Sequence, residues 1–408
     1  MTTVSQLQTI PSKSSADIAE SVIASARDLV PDLRARSKEI DALAKLPEDI
    51  VERMSAAGLF KLTVPQIYGG LQMGPATYRK IIAELARGDM SVGWTASLMN
   101  TANWLLAAAL PKEVADEIFA TPGGVRPSGG ISPRHIKVRK RSDGYVIEDG
   151  LWGFASGVYH SNWSVLGIPL LDDDGNAVDQ GLALIPNGKV TVLNDWDTIG
   201  MRGTGSSSVS VHDVFVPNAH VISFSSLVQG NYQSTHLDRV PLYRLATVPM
   251  MATSLVFPLV GGARAALEIF LERLPRRAIK YTSYEKQGDA AVTHLQLGEV
   301  DAKIDAAELF IQRSTETLEN VAQAGEQMAI FDRARIRRDA GFASRLIWEA
   351  VDLLVSAAGA SMAVSTDPIN RIWRDIRVAG LHAGLTPTTN LELYGRLMCG
   401  LEPNTAML

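Results

Sequence analysis

One cysteine, Cys399, is all that 408 residues supply, which rules out a disulfide framework and a thiolate metal cluster and points to a reducing cytosol. Charge of a single sign is lacking too. The 39 basic and 44 acidic side chains leave a net −5 with the signs interspersed, too little positive density to follow a phosphate backbone, so nucleic acid is not expected as a partner. The densest basic run, 333–338 (RARIRR), stands beside Asp332 and Asp339 and reads as a solvated helix face. No apolar run reaches the length of a membrane span and no basic-then-apolar leader opens the chain, so a cytoplasmic protein away from membranes is expected. His135, His212, His220, His236 and His294 have neither a second histidine nor a carboxylate at metal-binding spacing, and no metal site is expected. A strand–Gly-x-Gly-x-x-Gly–helix fingerprint is missing as well, which removes a bound NAD(P)H.

What remains is 46% hydrophobic, enough for one large core or two to three smaller ones. Residues 16–120 carry helical periodicity: Ile18, Val22, Ile23, Ala26, Leu29 and Val30 mark a first helix. Pro47, Glu48 and Asp49 open another and Gly58 closes it, and 78–88 form a third. Residues 91–110 (SVGWTASLMNTANWLLAAAL) are apolar but too rich in Asn, Thr and Ser for lipid, so they are read as a buried helix lining something. Near residue 120 the composition shifts to Gly, Pro and Ser. Short alternating segments follow at 135–141, 144–150, 164–171, 181–185 and 190–193. Helical character then returns over 246–274, 293–324, 330–359 and 369–401, lengths that fit an antiparallel bundle. The expected fold is α+β, mainly α: an N-terminal helical domain (1–122), a middle β-sandwich or barrel domain (123–228) and a C-terminal four-helix bundle (229–408).

The chain is organised around 194–217 (NDWDTIGMRGTGSSSVSVHDVFVP). Glycines there bracket Arg202 and Thr204 and run into Ser206, Ser207 and Ser208, so backbone approaches a ligand closely while hydroxyls point at it. Alternation from Val209 makes a half-buried strand with an irregularity near Asp213. Four stretches in order, LTVPQIYGG (62–70), GLWGFASGVYHSNWSVLG (150–167), IGMRGTGSSSVSVHDVFVP (199–217) and RIWRDIRVAGLH (371–382), resemble the acyl-CoA dehydrogenase superfamily over nearly the full length. The resemblance implies that superfamily's fold and a flavin wedged between the β domain and the bundle. Trp152, Phe154, Ala155, Gly157, Arg202, Thr204 and Ser206 would hold it, with Ser156 aimed at the ring edge. The aromatics Trp152, Phe154 and Trp163 suit a plain core equally well. A homotetramer is implied too.

A dehydrogenase of this superfamily needs a carboxylate base a few residues beyond the Arg374-Asp375 pair, yet 378–388 (VAGLHAGLTPT) holds no Asp or Glu. His382 takes its place. An Arg-Asp pair followed by histidine, with Trp152, Ser156, Gly157 and Trp163 at their spacing, resembles the flavin-dependent monooxygenase branch. These are oxygenase components of two-component hydroxylases, similar to those for 4-hydroxyphenylacetate, steroid rings and dibenzothiophene. The implied cofactor is FMNH2, with FADH2 as second choice, supplied by a separate NAD(P)H:flavin reductase. With O2 it would form a C4a-hydroperoxide that gives one oxygen to an aromatic or heteroaromatic small molecule. Ser156 would hold the N5 edge and His382 the proton of the distal oxygen. Trp94, Met99, Asn100 and Asn103 would line the substrate pocket, without the histidine that several members place there, which favours an indole or sulfur heterocycle over a phenol. The alternatives are an acyl-CoA dehydrogenase, a nitroalkane-type oxidase with tightly held FAD, or an N-oxygenase of an amino sugar.

Overall fold

The computed structural model describes residues 14–408. Six helices come first: α1 (Ser15–Ala35), α2 (Ser37–Leu43), α3 (Glu48–Ala56), α4 (Pro75–Gly88), α5 (Met90–Ala109) and α6 (Lys112–Phe119). Their starts follow local chemistry. Ser14 and Asp17 close a capping box on α1, Pro47 precedes α3, and the Asp89 carboxylate accepts from the Ser91 and Val92 amides at the start of α5. Nearly every residue of α5 is buried, because α4, α8 and α9 pack around it.

Eight strands follow: β1 (Pro127–Gly130), β2 (Pro133–Arg141), β3 (Gly144–Trp152), β4 (Trp163–Leu171), β5 (Ala177–Pro186), β6 (Thr191–Val192), β7 (Val209–Pro217) and β8 (Val221–Ser223). They form two four-stranded sheets, β1-β4-β5-β8 and β2-β3-β7-β6, sharing a core of Ile147, Leu166, Ile168, Ala183, Ile185, Val209 and Val211. β1 has no apolar alternation and was expected as a Gly/Pro-rich break. It pairs parallel to β4 because Gly129, at φ +158°, has no Cβ, and one would sit 2.0 Å from the Val165 carbonyl. The irregularity in β7 falls on Asp213, in the left-handed region at φ +50°.

The C-terminal part holds α7 (Phe224–Gln229), α8 (Thr247–Ser254), α9 (Phe257–Arg273), α10 (Ala291–Ala324), α11 (Ile330–Ala358), α12 (Pro368–Ala379) and α13 (Pro387–Met398). Two expected helices are in fact broken. The stretch 246–274 divides before Pro258, and 369–401 divides across 380–386, where glycines at 380 and 384 and Pro387 stop one helix and start the next. That second break carries His382 out of helical geometry. The basic run 333–338 is not a solvated face: Arg333 donates to the Val228 and Leu408 carbonyls, and Arg337 to Asn390 and the Met407 carbonyl, so both pin the C-terminal tail. Two stretches, Thr247–Arg276 and Ile330–Ala363, do reach the length and apolarity of a membrane span. Helix packing covers most of the first but only 33% of the most apolar window of the second. The first is 78% buried in the fold, and Ala340, Ala343, Ile347 and Val351 of the second are fully covered.

Candidate active site

Three pieces of chain converge around Ser156: the turn after β3 (153–157), the glycine-rich turn before β7 (201–208), and the middle of α5, with the α12–α13 break beside it. The two turns are stitched backbone to backbone, Gly157 N–H to Thr204 O at 2.7 Å and Ala155 N–H to Ser207 O at 3.3 Å. Side chains repeat the connection. Ser156 Oγ lies 2.7 Å from Ser206 Oγ, which lies 2.6 Å from Thr204 Oγ1, which donates to the Met201 carbonyl at 2.7 Å. From the other side Trp94 Nε1 donates to Ser156 Oγ at 3.3 Å. The Trp94 indole meets the His382 imidazole edge-on, centroids 5.9 Å apart.

His382 is exposed to solvent as a residue, while its ring stands against the Trp94 indole, and desolvation by the chain around it lowers its pKa from the usual imidazole range. At neutral pH the ring is uncharged. Its Nδ1 accepts the Gly384 N–H at 3.1 Å, so the remaining proton sits on Nε2 and the ring offers a donor there. Gly157, at φ +73°, lies so close to α5 that a Cβ would come within 2.8 Å of Met99 Cε and Thr95 Cγ2. Phe154 is also left-handed, at φ +63°, and presents an exposed ring edge-on to Trp196.

Several expected site residues are placed elsewhere. Trp152 is fully buried and donates to the Gly167 carbonyl, which makes it a core aromatic of the β domain. Arg202 directs Nε to the Asp41 carbonyl and Nη1 to the Thr198 carbonyl and Asp197. Asn100 is fully buried, accepting from Leu62 N–H and donating to the Leu59 and Ala96 carbonyls. Asn103 likewise donates to Phe60 and Val125. These asparagines brace α5 against neighbouring loops, with the Asn103 Oδ1 left without a partner. Met99 packs beneath Gly157, and Ala155 is buried.

Three features went unread in the sequence. Thr95 is fully buried and its Oγ1 has no hydrogen-bond partner; its signal is the four-residue spacing to Met99 on one helix face. Tyr159 bonds both Asn194 and Ser207 beneath the glycine-rich turn. The Arg374-Asp375 pair divides: Arg374 donates to the Ile199 carbonyl, while Asp375 turns inward, accepts the Met201 N–H at 2.5 Å and lies 4.0 Å from Arg371, itself 3.6 Å from Asp89.

Family models agree with this geometry. The acyl-CoA dehydrogenase N-terminal domain matches residues 17–117 and the C-terminal domain residues 253–387. The oxygenase subunit HsaA of a flavin-dependent monooxygenase from Mycobacterium tuberculosis is 30% identical over 390 residues, 96% of this chain and 98% of its own. The chain belongs to the flavin-dependent monooxygenases of the acyl-CoA dehydrogenase superfamily. The HsaA crystal structure superposes on this monooxygenase with a TM-score of 0.89 at 29% identity, covering 96% of this chain and 100% of that one. XiaF from Streptomyces sp., solved with FADH2 and glycerol, gives 0.88 at 28% identity over 96% and 98%. The oxygenase component of an FADH2-dependent resorcinol hydroxylase from Rhizobium sp. is 25% identical over 91% and 92%. As an oxygenase component, this monooxygenase relies on a separate reductase for its reduced flavin.

The residues fit that group. A reduced flavin needs hydrogen-bonding groups for its polar ring edge, and buried Ser156 with the orphaned Thr95 hydroxyl provides them.

Proposed function

We propose that this monooxygenase takes FADH2 from its reductase and inserts one atom of O2 into an aromatic or heteroaromatic small molecule between Trp94, Ser156 and His382. FADH2 ranks ahead of FMNH2 here because XiaF holds it and the resorcinol hydroxylase is named for it. Bound reduced flavin supplies the oxygen-activating chemistry. The chain supplies the surroundings: Ser156, Ser206 and Thr204 would hold the polar ring edge, Trp94 and Met99 keep water out, and His382 holds a proton on Nε2.

A neutral imidazole where a dehydrogenase keeps its carboxylate carries this reading. The nearest acid along the helix, Asp375, faces Arg371 and the Met201 amide and is in no position to take a substrate proton. Exposed apolar side chains beside the cleft, Phe154, Ile199 and Leu381, support a homotetramer in which a second subunit covers the flavin. The cytosol, with its NAD(P)H and reductases, is the proposed location.

The test is an anaerobic titration with FADH2 and FMNH2, followed by turnover with a reductase, NADH, isotopically labelled O2 and a panel of indoles, phenols and thiophenes. One labelled oxygen in the product is the expected outcome. Bleaching of bound flavin by an acyl-CoA or a nitroalkane without reductase would overturn it.

A further inference from the structure

Gly384 is gripped at both of its backbone polar atoms. Its N–H donates to His382 Nδ1 at 3.1 Å, and its carbonyl accepts from Asn390 Nδ2 at 3.0 Å. Asn390 stands in the first turn of α13 and is fully buried. Its other end is held too, because Oδ1 accepts from Arg337 Nε at 3.0 Å. The amide therefore has one possible orientation. A guanidinium N–H can only donate and a carbonyl can only accept, so Oδ1 must face Arg337 and Nδ2 must face Gly384. Arg337 donates in turn to the Met407 carbonyl, which ties the asparagine to the C-terminal tail.

Packing is as close as the bonding. Arg337 and Gly341 lie four residues apart on one face of α11, and a Cβ on Gly341 would stand 2.9 Å from Asn390 Nδ2 and 3.0 Å from Asn390 Cβ. The asparagine fits against α11 because residue 341 has no side chain. At Gly384 a Cβ would come within 2.9 Å of Leu255 Cδ1 and 3.3 Å of His382 Nδ1. The imidazole reaches the backbone there for the same reason.

We propose that Asn390, clamped by Arg337, is the residue that positions His382: by holding the Gly384 carbonyl it keeps the Gly384 N–H on Nδ1, and so keeps the ring proton on Nε2. The proposal rests on the monooxygenase role given to His382 above and extends it to α11 and α13. Asn390 is a positioning residue, since it reaches the imidazole only through Gly384. The same bond governs the charge of the ring. An N–H donated to Nδ1 favours the neutral imidazole, and burial acts in the same direction, with no charged side chain among the described residues shifting His382. Release of Gly384 therefore raises the pH at which His382 takes its second proton.

The test uses the flavin-free full chain with 15N-labelled histidine, whose ring-nitrogen shifts report the tautomer and the titration; the signals of His382 are those lost in His382→Asn. Wild type is expected to show the Nε2-protonated ring. Asn390→Leu keeps the volume and removes both bonds. It is expected to add the Nδ1-protonated form and to move the titration of His382 upward by about half a unit to one unit, toward the usual value of about 6.5. With FADH2, O2 and reductase, the acid limb of product formed per NADH is expected to move up with it. Thr386→Val removes a hydroxyl that donates to the His382 carbonyl at 3.4 Å without touching Gly384, and is expected to keep the wild-type tautomer and limb. Should Asn390→Leu not fold, Asn390→Ala removes the same amide without crowding Gly341 and is expected to give the same shift. An unchanged tautomer and titration in whichever of these two is measured overturns the proposal, as does an equal change in Thr386→Val. Should His382→Asn form product as wild type does, the role of His382 in the chemistry fails instead, while the ring signals still decide what Asn390 does.

Discussion

Asp375→Asn probes the buried group that ties α12 to the glycine-rich turn. Three charged groups surround Asp375: Arg371 on its own helix, Asp89 at the start of α5 and Asp41 on α2. One guanidinium faces two buried carboxyls, Asp89 and Asp375, so the cluster is neutral only if one carboxyl keeps a proton. Burial is the largest influence on Asp375 and pushes its pKa from 3.8 up to about 7, against the opposing pull of Arg371. Because the folded value lies above the unfolded one, the stability this group contributes is complete below about pH 4, drains away as pH rises toward about 7, and is constant beyond. A displacement of about three units corresponds to roughly 4 kcal/mol at neutral pH, an upper figure because a cavity of about 300 Å³ beside Arg371 lets solvent near the charge. Asparagine reproduces the protonated acid: its Oδ1 accepts the Met201 N–H and it never ionises. In the flavin-free protein, Asp375→Asn is therefore expected to match the wild-type Tm near pH 4 and to rise above it toward neutrality. For a chain of this length the gain is about 5 °C or less. Tm curves that stay parallel across that range would refute the buried proton.

The other predictions concern the cleft. His382→Asn keeps an acceptor for the Gly384 N–H and should leave FADH2 affinity near wild type, while product formed per NADH falls on the order of 10²-fold; equal coupling in wild type and variant would remove His382 from the chemistry. Because burial lowers the His382 pKa, wild-type coupling should decline on the acid side only below the usual imidazole value of about 6.5, and that limb should vanish in the variant. Ser156→Ala should release H2O2 on the order of tenfold faster from the FADH2-loaded protein after O2 is admitted, and an unchanged rate would dismiss its role. Gly157→Ala combines a left-handed φ with a Cβ only 2.8 Å from Met99 and Thr95; about 1–2 kcal/mol of strain or more is expected, read as a lower Tm with weaker FADH2 binding, and a neutral effect on both would show that the cradle is not tight.

Much of this was legible in the chain because the informative residues are local. Pro47 and Gly58 bracket a helix in the sequence as they do in space, and the polar interruptions of 91–110 do mark a helix buried on every side. The sequence marked Ser156, Thr204, Ser206 and His382 in glycine-rich turns, and the structure brings the first three into one hydroxyl chain and His382 against Trp94, which donates to Ser156. Trp152, Arg202, Asn100 and Asn103 have partners within the chain that the sequence did not show, for a common reason. Each has chemistry suited to a ligand, and in each the chain supplies the partner itself from a residue far away in sequence, Gly167, Asp41, Leu59 or Val125. Local pattern cannot show such a partner. The same holds for Asp375, whose adjacent Arg374 suggested a pair, whereas helical geometry sends neighbouring side chains to different faces and matches Asp375 with Arg371 one turn back.

That geometry explains why a broken helix is useful here. α12 docks on the turn at 199–201 with almost no gap. Gly200 lies so near that a Cβ would stand 2.5 Å from the Arg374 carbonyl, Arg374 holds Ile199, and Asp375 holds Met201. The turn that foots the hydroxyl chain is thus fixed to α12. Seven residues further on, the same helix has ended at glycine and released His382 beside Trp94, at the opposite end of that chain. A continuous helix through 380–386 would hold residue 382 in helical register, with its Nδ1 no longer turned back onto the Gly384 amide. The tautomer that places a proton on Nε2 therefore depends on the break. One short helix thus seats both the turn that foots the hydroxyl chain and the break that carries His382 to Trp94.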